Sequence, residues 1–341
     1  MRRITAICCM IAFAISFCGC GTEAQNEEGK YIVFDYAGEE ICLDEVYIYA
    51  QTTTEEYVQE YGADIWSDTI TTDDGLEMTV EDMARRQVIS DIVTVKTLVA
   101  QADGYGVTLT AEEEAQMEEE AEDFYSNLTD EQIEETSMEL DTVIKVKEEN
   151  LLADKVYDYA MKGNDLEVSD EQARMTTFYD MFFECYYEDD FGNIIVYSAD
   201  EIAEQKEKAY AAYDTIQSQM SSEDFNITFL GYTYGLVYAG SHTMSKDEIT
   251  ETYGEDVLGI LYGMSDGEIS QVVETEYGYH IFQMTALTDE AATAENKETL
   301  SEAANEEYFN NLLSSWMTEL DKDYSYAKSV NQDVYVMITF Q

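Results

Sequence analysis

Between Ser265 and Leu287 the chain is constrained to reverse direction twice within little more than twenty residues. Asp266-Gly267 supplies the first turn, since glycine accepts a positive φ at no steric cost. Ile269 to Val273 is apolar and β-branched, as a strand prefers. Gly278 allows the second reversal, and Tyr279 to Met284 returns with the alternating character of a half-buried strand. The returning strand carries His280, one of only two histidines in the 341 residues.

Gly267-Glu268-Ile269-Ser270 followed by Thr275-Glu276-Tyr277-Gly278-Tyr279-His280-Ile281 resembles, in order and separation, the C-terminal hairpin of parvulin-type peptidyl-prolyl isomerases. That resemblance covers roughly residues 170 to 290 well and implies a small, mostly antiparallel sheet surrounded by helices. It also implies a chemistry. The barrier to rotation about a peptide bond is about 18–20 kcal/mol. Lowering it needs no covalent step, cofactor or metal, only a groove that desolvates and grips the X-Pro amide. The family's site combines two histidines on neighbouring strands, a Cys or Asp, a Ser or Thr, and a Met/Phe pocket for the proline ring.

Carried over residue by residue, His280 matches the last-strand histidine and Thr275 the threonine. Asp180, in Asp180-Met181-Phe182-Phe183, stands where the first-strand histidine is expected, and so gives His280 a charged partner. These three are the candidate catalytic residues. Tyr253 and Val257 fall at the pocket positions and, with Phe182, are the candidate substrate-binding residues. The Cys/Asp position falls within Gly231 to Ser241. The alternative is that His280 only ties the sheet together through a hydrogen bond. His242 has no match and reads as a surface loop residue, and Tyr232 to Tyr238 as a packed strand.

At the other end, Arg2-Arg3 and the apolar run Ile4 to Phe17 read as a secretory signal, because that run is shorter than the roughly 20 residues a membrane span requires. Ser16-Phe17-Cys18-Gly19-Cys20 resembles a bacterial lipobox, which implies that Cys20 receives lipid and becomes the first mature residue; ordinary signal cleavage is the alternative. Residues 1–19 are thus expected to be a lipoprotein signal and 20–30 a tether. Cys8, Cys9 and Cys18 leave with the signal. Cys42 and Cys185 remain, and two buried free thiols suit them better than a disulfide, since free Cys packs as a small apolar residue. No Cys-x-x-Cys or metal spacing exists.

Tyr31 to Tyr36 reads as a strand, Gly38 to Glu40 as a turn, and Asp44 as the cap of the first helix. Gly62 to Gly75 reads as an acidic, threonine-rich loop. Thr79, Thr110 and Thr129 open helices with capping signals, and Met138 to Met161 forms another. Val80, Ala84, Val88, Ile92, Val95 and Leu98 make one apolar face of the second helix, which Gly106 stops. Long capped helices ahead of the parvulin-like segment resemble the chaperone region of PrsA- and SurA-type foldases. The expected α+β architecture is a helical chaperone domain over 31–166, a parvulin-like domain over 167–289, and a C-terminal helix and strand over 290–341 that return to the chaperone domain. Within it, Glu290 to Glu298 reads as a polar linker, Lys246 to Tyr262 as one helix, and Val334 to Phe340 as a last strand pairing near Tyr31 to Tyr36.

Charge restricts partners further. The chain carries 74 acidic and 17 basic residues, a net −57. Such a surface repels phosphate, which excludes nucleic acid as a partner, and attracts cationic segments at low salt. Proline is absent altogether, where average usage would give roughly 17. With no Asp-x-Asp-x-Asp-Gly loop, the carboxylates do not read as a calcium site, which leaves an acidic cation-binding surface lipoprotein without support. The resemblance favours a membrane-anchored extracytoplasmic foldase acting on unfolded or newly secreted polypeptides. A peptide-binding holdase with a degenerate site is the alternative.

Overall fold

The computed structural model describes residues 25–72, 75–162, 164, 166–189, 191–219, 230–231, 234, 236 and 239–340. The signal segment, Cys20 and most of the tether lie outside these residues, as does much of 226–241. The chain divides into two compact units, residues 1–165 with 305–341, and residues 166–304.

The first unit opens with an antiparallel hairpin, β1 (Ile32–Tyr36) and β2 (Glu39–Cys42). Its helices are α1 (Leu43–Tyr61), α2 (Val80–Tyr105), α3 (Ala111–Ser126), α4 (Asp130–Thr136) and α5 (Leu140–Met161). The caps follow from sequence: the Thr79 hydroxyl accepts from the Asp82 amide, and Thr110 and Thr129 form reciprocal capping boxes. Gly106, at φ 65°, closes α2 in the left-handed region. Asp44 is not a cap, a correction to its expected role. Cys42 occupies that position, and Asp44 is buried in the first turn, accepting from Lys30 Nζ and Thr142 Oγ1, each at 2.8 Å. The segment expected as loop also holds a short hairpin, β3 (Thr69–Thr71) with β4 (Glu77–Thr79).

One continuous core gathers Val33, Phe34 and Ile41 from the hairpin, Val88, Ile92 and Leu98 from α2, and Val146 and Val156 from α5. Phe309, Leu313, Trp316, Val334, Ile338 and Phe340 from the end of the chain join it. Each such side chain contributes about 1.5–3 kcal/mol when fully buried, so residues as far apart in the chain as Val33 and Phe340 are held in one body.

The second unit begins with α6 (Asp170–Ala173), capped by Ser169. Then come β5 (Met175–Glu184), the hairpin β6 (Tyr186–Glu188) with β7 (Ile194–Val196), α7 (Ala199–Gln219) and β8 (Ala239–Ser245). The expected helix over 246–262 is two, α8 (Lys246–Tyr253) and α9 (Glu255–Tyr262), because Gly254 at φ 88° breaks it. β9 is only Val273–Thr275, with Ile269 making a single bridge to Gln283, and β10 is Gly278–Ala286. The four-stranded sheet runs β8-β5-β10-β9, antiparallel throughout.

Alternation along β5 and β10 separates two apolar faces. Tyr179, Met181, Phe183, Tyr279 and Ile281 pack on Ala209, Ala212 and Ile216 of α7. Phe178, Phe282 and Met284 pack on Ile249, Val257 and Leu261 of α8 and α9.

Three further expectations need correction. Residues 290–298 are not a linker: α10 runs unbroken over Glu290–Leu320, because this stretch of Ala, Glu and Lys contains no Gly or Pro to stop it. The helix therefore begins in the second unit and ends in the first. The last strand does not form. Residues 326–335 make two short helices, α11 (Tyr326–Ser329) and α12 (Gln332–Tyr335), with no strand after them. Contact with β1 comes instead from one bridge, Val330 to Phe34, and the Asn331 amide on Val33 O at 2.8 Å. His242 is in β8 rather than a loop, opposite Phe178 and half-buried against its ring.

Candidate active site

The face of the sheet that meets α8 and α9 also carries the candidate residues. Antiparallel register sets His280 opposite Phe182 and Phe282 opposite Asp180, so all four side chains share one face. The imidazole of His280 is stacked on Phe182 at 4.3 Å and 7°, and on Phe282 at 5.3 Å and 8°. Tyr253, the last residue of α8, meets it edge-on at 5.6 Å.

Both ring nitrogens are engaged. Nδ1 lies 2.9 Å and 3.1 Å from the two carboxylate oxygens of Asp180. A carboxylate only accepts, so Nδ1 carries the proton in this pair. Nε2 lies 3.2 Å from Thr275 Oγ1. The threonine hydroxyl also lies 3.4 Å from Gly278 O and accepts the Tyr277 amide at 3.3 Å. It can therefore donate to a bare Nε2, or accept from a protonated one while donating to Gly278 O. Threonine thus follows the state of the imidazole without rearrangement.

Tyr253 donates its hydroxyl to Asp180 Oδ2 at 3.4 Å. Burial, and then the Asp180 charge, push that phenol well above the usual tyrosine range, so it stays a donor. His280 and Asp180 are each 4% exposed, whereas Phe182 and Thr275 are half-buried and form the outer side of the cluster. Among the described residues, no group of three or more His, Cys, Asp or Glu is arranged to hold a metal.

Two close approaches keep this geometry. A Cβ on Gly278, at φ 151°, would lie 2.2 Å from Phe183 O, so the turn into β10 admits only glycine. Ser270 Oγ accepts the Phe282 amide at 2.9 Å and donates to Gln271 O, satisfying the edge where β9 has not begun.

Of the sequence-derived candidates, His280, Asp180, Thr275, Phe182 and Tyr253 come together. Tyr253 bonds the buried aspartate rather than only walling a pocket. Val257 does not line the cluster, a correction to its expected substrate contact: it is 2% exposed in the core beneath, with Ile249, Leu261 and Phe282. Cys20 lies outside the described residues, as does part of the segment assigned to the Cys/Asp position. Cys42 and Cys185 are both free and buried. Sequence reasoning missed Phe282, whose position two residues after His280 on an alternating strand already put it on the same face.

Comparison with known proteins adds relatives. Residues 194–286 match the family described as PPIC-type PPIASE domain, or Rotamase. Over 308 residues the chain is 26% identical to the foldase protein PrsA of Clostridium perfringens, covering 86% of this chain and 84% of that one. It is 26% identical over 297 residues to the foldase protein PrsA of Caldanaerobacter subterraneus, covering 84% and 83%. Among solved structures, PrsA of Bacillus cereus is 18% identical, covers 80% of this chain and 99% of that one, and superposes with a TM-score of 0.27, too low to bear on the fold. His280 and Thr275 fall within the segment that matches the PPIC-type PPIASE domain, Asp180 lies just before it on β5, and the chain is similar to PrsA foldases along most of its length.

Proposed function

We propose that this protein is an extracytoplasmic foldase that isomerises X-Pro bonds in newly secreted polypeptides. One observation carries the reading. A buried imidazole, itself within the segment that matches the isomerase family, is held on both nitrogens by Asp180 and Thr275, directly under the half-buried ring of Phe182. An apolar ring at the surface suits a proline ring. A desolvated amide twists more easily than one hydrated by water, because its charge-separated resonance form loses solvent support. His280, Asp180 and Thr275 would act as a fixed dipolar floor under that bond, since each is already oriented before substrate arrives.

The test is exchange NMR on a proline peptide with the purified full-length chain. Acceleration that drops at least tenfold in His280→Ala, with the fold intact, is the expected result. Acceleration untouched by His280→Ala removes this residue from the mechanism. The second reading, a holdase without turnover, draws on the burial of His280, which leaves little of the imidazole for substrate to touch. Suppressed aggregation of an unfolded client with no acceleration of exchange would favour it.

We also propose that the chain is a lipoprotein attached through Cys20, on the strength of the basic start, the short apolar run and the lipobox-like end of that run. No helix among the described residues is long and apolar enough to cross a membrane. Labelling with a fatty acid should reach the wild type and not Cys20→Ala; equal labelling of both would sink the assignment.

A further inference from the structure

The β6–β7 hairpin displays apolar side chains that stand exposed among the described residues. Val196 is 65% exposed, Ile194 58%, and Phe191 at the turn 89%. The display is ordered: Asp189 Oδ1 accepts the amides of Phe191 and Asn193, both at 2.9 Å, and fixes the turn that holds Phe191 outward. Among the described residues the two strands pair only with each other. A lone two-stranded hairpin with an open apolar face has little reason to be stable by itself, so it calls for a cover.

Register says which way that face looks. Tyr186 stands opposite Val196, and Glu188 opposite Ile194, so Val196 and Ile194 lie on the same face as Tyr186. The Tyr186 ring in turn lies 6.3 Å from Phe182 and 5.8 Å from Tyr277. An apolar strip thus leads from Phe182, over His280, through Tyr186 to Val196 and Ile194. Its borders are acidic. Residues 186–196 contain Glu188, Asp189 and Asp190 and no Lys or Arg, and Glu276 beside Tyr277 is exposed.

We infer that this hairpin is an extended docking strip for the polypeptide flanking the X-Pro bond, selecting segments that pair apolar side chains with Lys or Arg. The apolar strip runs continuously from the candidate site, and the acidic border complements a cationic segment. A second copy of this chain is a poor occupant, because an equally acidic surface at net −57 repels its own kind. The inference rests on the isomerase reading only for where the proline sits. Binding to the hairpin does not need turnover.

The test uses the full-length chain and three fluorescent peptides. One has four residues around a proline. The second has twelve, with apolar residues and lysines on one side of the proline, and the third replaces those lysines by glutamate. Anisotropy should show the twelve-residue lysine peptide binding at least tenfold tighter than the glutamate peptide. The double variant Ile194→Ser with Val196→Ser should weaken the lysine peptide about tenfold and leave the four-residue peptide unchanged, as expected when a central apolar anchor is truncated. The conservative pair Ile194→Val with Val196→Ile should restore binding. Hydrogen exchange on the wild type, which depends on no variant, should show residues 186–197 protected by the lysine peptide and not by the short one.

Equal losses for long and short peptides, no loss for either, or no protection of 186–197 would overturn the docking strip. So would sedimentation showing a wild-type dimer that the serine variant dissolves, since the occupant would then be a second copy. If no peptide is isomerised but the hairpin effects hold, the isomerase reading fails and this inference stands. If isomerisation of both lengths ignores the hairpin, the reverse follows.

Discussion

Each unit buries ionisable groups, and the two do so in opposite ways. In the first, Lys96 of α2 is nearly enclosed, and its Nζ meets Glu39 and Glu45 at 2.9 Å and Glu149 at 2.8 Å. Lys145 joins from α5, pairing with Glu39 and Glu45. The cluster links β2, α1, α2 and α5, so its charges hold elements together. In the second unit, one imidazole and one carboxylate sit on a single small sheet, and their other neighbours are aromatic rings and hydroxyls. That pair joins only two strands already joined by their backbone ladder, so the sheet does not need it. The Lys96 cluster thus ties four elements together, whereas the His280–Asp180 pair adds no link between elements beyond the β5–β10 ladder.

Removing the central charge of the first cluster should have the largest effect. Lys96→Met leaves Glu45 and Glu149 buried without their main partner and should cost about 3–5 kcal/mol. Urea unfolding of the full chain measures it. A loss below about 1 kcal/mol would mean that the cluster does not brace the helices, and the contrast with the sheet would fail.

Gly278→Ala should come next, at about 2–4 kcal/mol, since its Cβ overlaps Phe183 O and the chain must shift where β10 leaves the turn. Hydrogen exchange of β5 and β10 amides should rise, while α2 and α5 amides keep their protection. Loss of protection in both units would mean that the two open together.

A third prediction concerns pH. Burial, with the Glu56 charge adding, pushes Asp91 on α2 up to about 7, against the pull of a hydrogen bond from Gln87. The folded state then holds a proton that the unfolded carboxyl, with an ordinary value near 4, has released. Stability from this group is therefore present at low pH and lost as pH rises from about 4 to about 7, by about 1–2 kcal/mol for a half-buried side chain. Asp91→Asn should flatten that slope. An unchanged slope would show that Asp91 ionises freely, and that the first unit tolerates an unpaired carboxylate as the sheet does not.

Tyr253→Phe should be the mildest change. The hydrogen bond to Asp180 is long, and losing it should cost under about 1 kcal/mol of stability. Its effect should instead fall on isomerisation, as a few-fold drop in kcat with KM unchanged, because Asp180 loses one of the groups that orient it. A changed KM with kcat intact would make Tyr253 a wall of the proline pocket, as its sequence position suggested.

Much of the site was legible because the resemblance named its residues and strand periodicity is strict enough to place them. Once Tyr279 to Met284 and Asp180 to Phe183 are read as neighbouring strands, alternation puts His280, Phe182 and Asp180 on one face. Helix reading was less exact where glycine intervened: the pattern over Lys246 to Tyr262 is helical on both sides of Gly254, and nothing local tells a continuous helix from a broken one. Val257 was misplaced for another reason: it was carried over by its separation from Gly267, and separation along the chain does not say which side of α9 faces the core. Val334 to Phe340 shows the opposite failure. Its β-branched and aromatic residues favour a strand by propensity, yet they pack as short helices and loop against β1, because tertiary burial outweighs a preference worth at most about 1 kcal/mol.

Local order was therefore written in the chain itself: capped helices, a hairpin that only glycine can turn, and one histidine on an alternating strand. These depend on neighbours a few positions away, so periodicity and turn chemistry suffice to specify them. Folding in three dimensions alone decided that Tyr253 reaches Asp180, that the last residues close the first core, and that the apolar side chains of the β6–β7 hairpin stand exposed. Those outcomes depend on which distant surfaces meet, and the area buried between them is not a property of any one segment.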